Sequence, residues 1–173
     1  KAQDFTLSVT DVNEASTLVV SNTSISENTG GGTVGTVTIT DPDIGDTNTL
    51  TLSGTDKESF EISGTTLKLK DTVSADYESD TSYSITITAT DSADNTVSKD
   101  FTITVTDVNE TPSAVALSAS TLAENAAGAT IGTLSATDPD SGETFTYALS
   151  GTDKDSFELS GTTLKLKDTV SAD

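Results

Sequence analysis

"SGTDKESFEISGTTLKLKDTVSAD" occupies residues 53–76, and residues 150–173 read "SGTDKDSFELSGTTLKLKDTVSAD", with only Glu58/Asp155 and Ile62/Leu159 different. Other landmarks return at nearly the same offset: "SENTGG" (26–31) with "AENAAG" (123–128), "TDPD" at 40–43 with 137–140, and "TDVNE" at 10–14 with 106–110. The period is 96–97 residues. A unit of that length is a whole domain, too long for one turn of a solenoid. The chain therefore reads as a tandem array. Residues 1–14 supply the last strand and linker of a preceding repeat, 15–110 a complete repeat, and 111–173 a following repeat that lacks its last two strands. A sandwich without a central strand exposes unpaired backbone, so the phase of the repeats predicts either a window on a longer chain or a chain whose ends are completed by neighbours.

Every signal inside the repeat is β. Period-two alternation punctuated by turns predicts strands near 17–23, 33–39, 48–53, 58–62, 65–70, 82–90 and 96–106, with turns at glycines 30–32, 45, 54 and 64. The run "DFTLSV" (4–9) alternates like "DFTITV" (100–105) and predicts a further half-buried strand. Helical periodicity is absent. Seven short strands in about 95 residues give an all-β fold: tandem seven-stranded Greek-key, immunoglobulin-like β-sandwiches joined end to end. Threonine is about a fifth of the chain, which suits half-solvated strands. The large core candidates are few: Phe60, Tyr83 and Phe101, with Ile, Leu and Val.

Composition narrows the chemistry. The chain has 28 acidic residues against 8 basic ones, all lysine, for a net charge of −20. Nucleic acid and anionic membrane surfaces need cationic patches and are excluded as partners. There is no His and no Cys, so imidazole or thiolate metal sites, Ser-His or Cys-His nucleophiles and disulfides are excluded as well. Nothing in the chain supplies a catalytic base, nucleophile or cofactor motif, and the segment reads as no enzyme. "DPDIGD" begins like a calcium-binding EF-hand loop, but its twelfth position is Leu52 rather than Glu. Gly30–Gly32 has no helix after it and no basic residue beside it, so it is a turn rather than a phosphate loop.

Placed on the strand plan, the acids fall into two populations. Asp56, Glu58 and Asp71 sit singly in turns. The rest gather at the two ends of the sandwich. One end takes Glu27, Asp76, Glu78, Asp107, Asn109 and Glu110; the other takes Asp41 and Asp43 of "DPD" and Asp91 of "TATD". End-to-end stacking would bring Glu27, Asp76, Glu78, Asp107, Glu110, Asp138 and Asp140 to one joint. Two carboxylates about 5 Å apart repel by roughly 3 kcal/mol at an effective dielectric near 20, so such a joint needs multivalent cations. Oxygen-only ligands in an irregular cage favour Ca²⁺ over zinc or copper. In an extended linker alternate side chains point to opposite sides, which lets Asp107 and Asn109 serve different ions while Val108 offers its carbonyl.

These motifs resemble tandem cadherin repeats of the bacterial type. The carrying residues are "EN" at 27–28 and 124–125, "DYE" at 76–78, "ATD" at 89–91, "DVNE" at 11–14 and 107–110, and "DPDIGDTN" at 41–48. In order they are similar to the family's glutamate after the first strand, its D-x-E, its A-x-D, its D-x-N-D linker and its D-x-D-x-G-x-N loop. The chain departs from that pattern at three places. The linker's second Asp is Glu14 or Glu110, the loop's Asn is displaced to Asn48, and the second copy reads "DPDSGETF" without one. The resemblance implies Ca²⁺ ligands at Asp11, Asn13, Glu14, Glu27, Asp41, Asp43, Asp76, Glu78, Asp91, Asp107, Val108 (carbonyl), Asn109, Glu110, Glu124, Asp138, Asp140 and Asp173.

The function so implied is a calcium-stiffened structural or adhesive segment of a long extracellular protein, of the kind found on bacterial surfaces. Its partners would be neighbouring repeats of the same chain or filament. Two alternatives stand beside it: a homophilic or carbohydrate-binding module, and an accessory segment of a secreted enzyme. The absence of Trp and the scarcity of aromatics weigh against sugar binding.

Overall fold

In a computed structural model of the protein, residues 1–10, 12, 14, 16–43 and 47–172 are described. The chain forms two compact units, Lys1–Val108 and Asn109–Asp173.

The first unit is a two-sheet sandwich. One sheet has the order β1-β3-β6-β5, the other β2-β8-β7-β4. Its strands are β1 (Thr17–Val20), β2 (Ser24–Ser26), β3 (Thr33–Thr40), β4 (Thr49–Ser53), β5 (Phe60–Ser63), β6 (Thr66–Leu69), β7 (Ser82–Thr90) and β8 (Thr96–Thr106). All pairings are antiparallel except β2 with β8, which run parallel with Ser24 opposite Thr104. The alternation read from the sequence is obeyed in β7, where Tyr83, Ile85, Ile87 and Ala89 point inward and are buried. They meet Leu18, Val34, Val37, Phe60, Leu67 and Leu69 of the opposite sheet in one core. Phe60 packs edge-on against Tyr83, 5.4 Å between ring centres, which ties the sheets together. Phe101 is only half-buried and packs against the rim of this core, with the Lys99 ammonium 5.4 Å from its ring. The outward positions of β7 and β8 carry the threonine and serine. Thr86 Oγ1 donates to Asp100 at 2.6 Å, and the Thr88 and Ser98 hydroxyls lie 2.8 Å apart.

Three expectations change. The strand expected at 17–23 ends at Val20, and the next strand, β2, starts in the other sheet only at Ser24. Asn22 causes the break: its amide donates to Ser24 O at 2.9 Å and Val34 O at 3.0 Å, while its own oxygen accepts from Ser24 N and Oγ. A short side chain that satisfies local backbone in this way competes with the ladder. Second, the strand expected at 58–62 begins with a 3₁₀ turn, Lys57–Ser59, and only Phe60–Ser63 is strand. Third, residues 4–9 form no strand, and Phe5 is 88% exposed. Their counterparts in β8 gain order and burial by pairing with β7 and β2; residues 4–9 have no such partners among the described residues. The turn expected at Gly45 lies outside the described residues.

The second unit repeats one of the sheets, in the order β9-β10-β12-β11: β9 (Ala114–Leu117), β10 (Thr130–Thr137), β11 (Phe157–Ser160) and β12 (Thr163–Leu166), with a 3₁₀ turn at Lys154–Ser156. Residues 121–123 and 146–150 are the counterparts of β2 and β4 and form no strand. Among the described residues β2 pairs with β8 and β4 with β7 in the first unit, and no described strand of the second unit corresponds to β7 or β8.

Candidate metal centres at the ends of the sandwich

At one end of the first unit Glu27 leaves β2 and turns inward. It is 2% exposed. Asn28 holds the turn at φ 60° and donates to Ala75 O at 3.0 Å, a left-handed position that Asn tolerates better than most residues. Glu27 N donates to Thr106 O at 3.2 Å. The carboxylate is gripped by backbone from two other segments: Tyr77 N donates to Oε2 at 2.8 Å, and Val108 N donates to Oε1 at 2.7 Å. Asp76 is fixed from its own turn by Ser79, whose N and Oγ donate to it at 3.1 and 2.9 Å.

Carboxylate oxygens of Glu27, Asp76 and Glu78 lie within 4.8 Å of one another. Two ligands of a single Ca²⁺, each at about 2.3–2.6 Å, are no more than about 5 Å apart, so the spacing fits one ion. The donor set fits too: all oxygen, from a chain with neither His nor Cys. No lysine among the described residues pairs with Glu27 or Asp76. The cations instead pair elsewhere, as on the β5–β6 hairpin, where Lys68 lies 3.3 Å from its cross-strand neighbour Glu61 and 2.7 Å from Asp71 of the following turn. A buried carboxylate beside two more is costly unless a cation joins them. Asp107, Val108 and Asn109 are exposed.

At the other end Asp41 and Asp43 form a tight turn after β3. Asp43 N donates to Asp41 Oδ1 at 3.0 Å and Ser16 Oγ donates to Oδ2 at 2.9 Å. These hydrogen bonds, with a weaker one from the Asn48 side chain, hold the Asp41 carboxyl below the usual carboxylate range, and the nearby Asp91 charge opposes them. Asn48 Oδ1 is buried and accepts no hydrogen bond among the described residues. Asp91, 7% exposed, accepts from Ala93 N and Asn95 N at 2.8 Å each and from Asn95 Nδ2 at 3.0 Å. The incoming linker is caught here: Glu14 N donates to Asp43 Oδ2 at 2.8 Å.

The second unit repeats this capture. Asp140 N donates to Asp138 Oδ1 at 3.1 Å, and Glu110 N donates to Asp140 Oδ2 at 2.6 Å. The "NE" of each linker thus presents its Glu backbone N–H to the second Asp of "DPD". Asn125 repeats the turn of Asn28, at φ 59° with its N–H on Ala172 O at 2.8 Å, but Glu124 is exposed where Glu27 is buried. Of the expected ligands, Asp11, Asn13 and Asp173 lie outside the described residues. Sequence reading missed three supporting groups: Ser16, Asn95 and the Tyr77 backbone. All three acids expected to sit singly in turns are engaged: Asp56 accepts from Ser84 N at 2.6 Å, Asp71 holds Lys68, and Glu58 lies 3.6 Å from the Lys57 ammonium and 3.5 Å from that of Lys70.

These features define a class: an all-β sandwich with a carboxylate cluster at one end and hydrogen-bonded aspartate turns at the other. Residues 21–106 match the cadherin domain family, and the chain carries cadherin-like repeats. Cadherin ectodomains are extracellular, non-enzymatic adhesion modules that in general bind Ca²⁺. Among solved structures, the chain is similar to human protocadherin-24 repeats EC1-2, at 22% identity and TM-score 0.65, over 90% of this chain and 78% of that one. It is also similar to mouse cadherin-23 repeats EC22-24, at 18% identity and TM-score 0.61, over 94% and 56% of the two chains. A third is protocadherin gammaB7 EC3-6, solved as a cis-dimer, at 24% identity and TM-score 0.56, over 90% and 42%. No curated protein matches the chain in sequence. No helix among the described residues is long and apolar enough to cross a membrane.

Proposed function

We propose that this chain is a calcium-stiffened segment of a long adhesive or structural protein on a bacterial surface, divided into a leading linker (1–14), a full repeat (15–110) and a following repeat (111–173). The observation that carries this reading is the buried Glu27 carboxylate, held by Tyr77 N and Val108 N, with Asp76 and Glu78 oxygens within 4.8 Å. In this reading Glu27, Asp76, Glu78, Asp107 and the Val108 carbonyl hold Ca²⁺ together with Asn109, Glu110, Asp138 and Asp140. Glu14, Asp41, Asp43 and Asp91, with Asp11 and Asn13, do the same for the preceding linker, and Glu124 and Asp173 for the following one.

The mechanism is linkage. An ion that binds the aligned joint and not the flexed or unfolded chain selects a straight rod and stabilises the sandwiches it clamps. Val108, on which the first unit's Glu27 closes, is two residues from Glu110, which the second unit's Asp140 takes. Partners are neighbouring repeats and the surfaces that such a rod reaches. The test is melting temperature and small-angle scattering in millimolar Ca²⁺ and in chelator. The reading expects a higher Tm and a longer maximum dimension with calcium, and identical curves in the two buffers would refute it.

A further inference from the structure

The hairpins of the two units are interchangeable parts. Between Phe60–Leu69 and Phe157–Leu166 a single residue differs, Ile62 against Leu159, isomers that a core exchanges at small cost. Within each hairpin the register is the same: Phe60 opposite Leu69 and Glu61 opposite Lys68, Phe157 opposite Leu166 and Glu158 opposite Lys165. Each docks on its host strand through the same shifted register, Gly35 opposite Leu67 and Thr36 opposite Thr66, Gly132 opposite Leu164 and Thr133 opposite Thr163. The bonds bordering that ladder are backbone and match in pairs. Leu69 N reaches Gly32 O and Leu166 N reaches Ala129 O, both at 2.9 Å; Val37 N reaches Thr65 O and Leu134 N reaches Thr162 O, both at 2.8 Å. Lys68 and Lys165 bridge the equivalent pairs of acids. The backbone ladder of each host strand accepts either hairpin alike.

We propose that two copies of this chain interlock by hairpin exchange: β11–β12 of one copy seats on β3 of the second, whose β5–β6 seats on β10 of the first. Each exchanged hairpin finds on its new host strand the same backbone partners that it had on its own, so chain concentration and connector geometry set the balance between monomer and dimer. The connectors at 54–56 and 71–76 are identical to 151–153 and 168–173. Exchange belongs to folding rather than to breathing of the finished fold, because Leu67 and Leu69 are fully buried and Phe60 is locked against Tyr83. Hairpins form from local contacts before distant strands close on them, and near-identical neighbours then compete for each host strand. This inference is independent of calcium.

The test is refolding from urea, in chelator, over a range of concentrations. Sedimentation is expected to find a dimer that persists on dilution, its ratio to monomer rising about ten-fold for a ten-fold rise in refolding concentration as long as monomer predominates. Monomer alone at every concentration overturns the proposal. The register of the dimer is read with cysteines, which the chain otherwise lacks. Cross-strand neighbours have Cβ atoms about 4.5–5.5 Å apart, within reach of a short bismaleimide. Thr36→Cys with Thr163→Cys should give covalent dimers after refolding at high concentration and far fewer in protein never unfolded. A refolded dimer in which this pair gives no more interchain product than the unrefolded sample overturns exchange in favour of ordinary aggregation.

Discussion

Val108 N donates to Glu27 Oε1 at 2.7 Å across 81 residues of chain. One hydrogen bond thus joins the end of β2, where the repeat begins to close, to the first residues past β8, where it ends. The second oxygen holds Tyr77 N at 2.8 Å, so three segments converge on a single carboxylate.

Glu27→Ala leaves both N–H groups without their acceptor. The expected loss is about 1–3 kcal/mol for each donor that stays buried, read as a shift in urea midpoint in chelator. Glu27→Gln keeps a neutral acceptor and should cost less in chelator, but it should lose most of the gain in midpoint that calcium gives the parent chain. Equal calcium gains in parent and Glu27→Gln would remove Glu27 from the ligand set.

Gly54 and Gly64 separate two kinds of glycine requirement. A Cβ at Gly54, φ 101°, would lie 3.0 Å from Ile85 Cα and 3.1 Å from Ser84 O and Thr86 N; at Gly64, φ 62°, it would meet nothing within 4 Å. Gly64→Ala should cost about 1–2 kcal/mol, the left-handed penalty alone. Gly54→Ala adds a clash with β7 backbone and should cost clearly more. Thermal melts of the two variants under one condition decide this; equal costs would mean that β7 yields freely.

Leu67 sits in the central pairing of β6 with β3 and is fully buried. Leu67→Ala should destabilise the first unit by about 2.7–5 kcal/mol. Leu164→Ala, at the half-buried counterpart, should cost markedly less. Chemical denaturation followed at the tyrosines measures both.

The pH response has a definite sign at each extreme. Asp41 is held below its usual 3.8 first by the Asp43 N–H and then by Ser16. Its contribution to stability is complete above the ordinary carboxylate value and is lost as pH falls through the lowered one. Ser16→Ala should move the Asp41 titration, followed by NMR, upward. Lys68 and Lys165 are raised above 10.5, Lys68 chiefly by Asp71 and Lys165 chiefly by Glu158. Their contribution is present below 10.5 and lost as pH rises through the raised values. An Asp41 titration unmoved by Ser16→Ala would contradict the first assignment.

The sandwich was legible because alternation carries it: Tyr83, Ile85, Ile87 and Ala89 can all face one way only in a strand. The break at Asn22 was not, since it depends on a side chain reaching Val34 O twelve residues on. Nor was the lack of pairing at 4–9, because alternation records what a strand would bury and not whether its neighbours are present. Acid spacing placed Glu27 with Asp76 and Glu78. It gave no sign that Glu14 and Glu110 meet Asp43 and Asp140 through backbone N–H groups, because backbone donors leave no mark in residue identity.

Calcium titration calorimetry on the chain, beside Glu27→Gln, tests the central claim most directly. The account predicts saturable binding in the parent and at least about a ten-fold weaker constant in the variant, equivalent to about 1.4 kcal/mol. Absence of binding heat at millimolar calcium, or the same isotherm for both proteins, would contradict it.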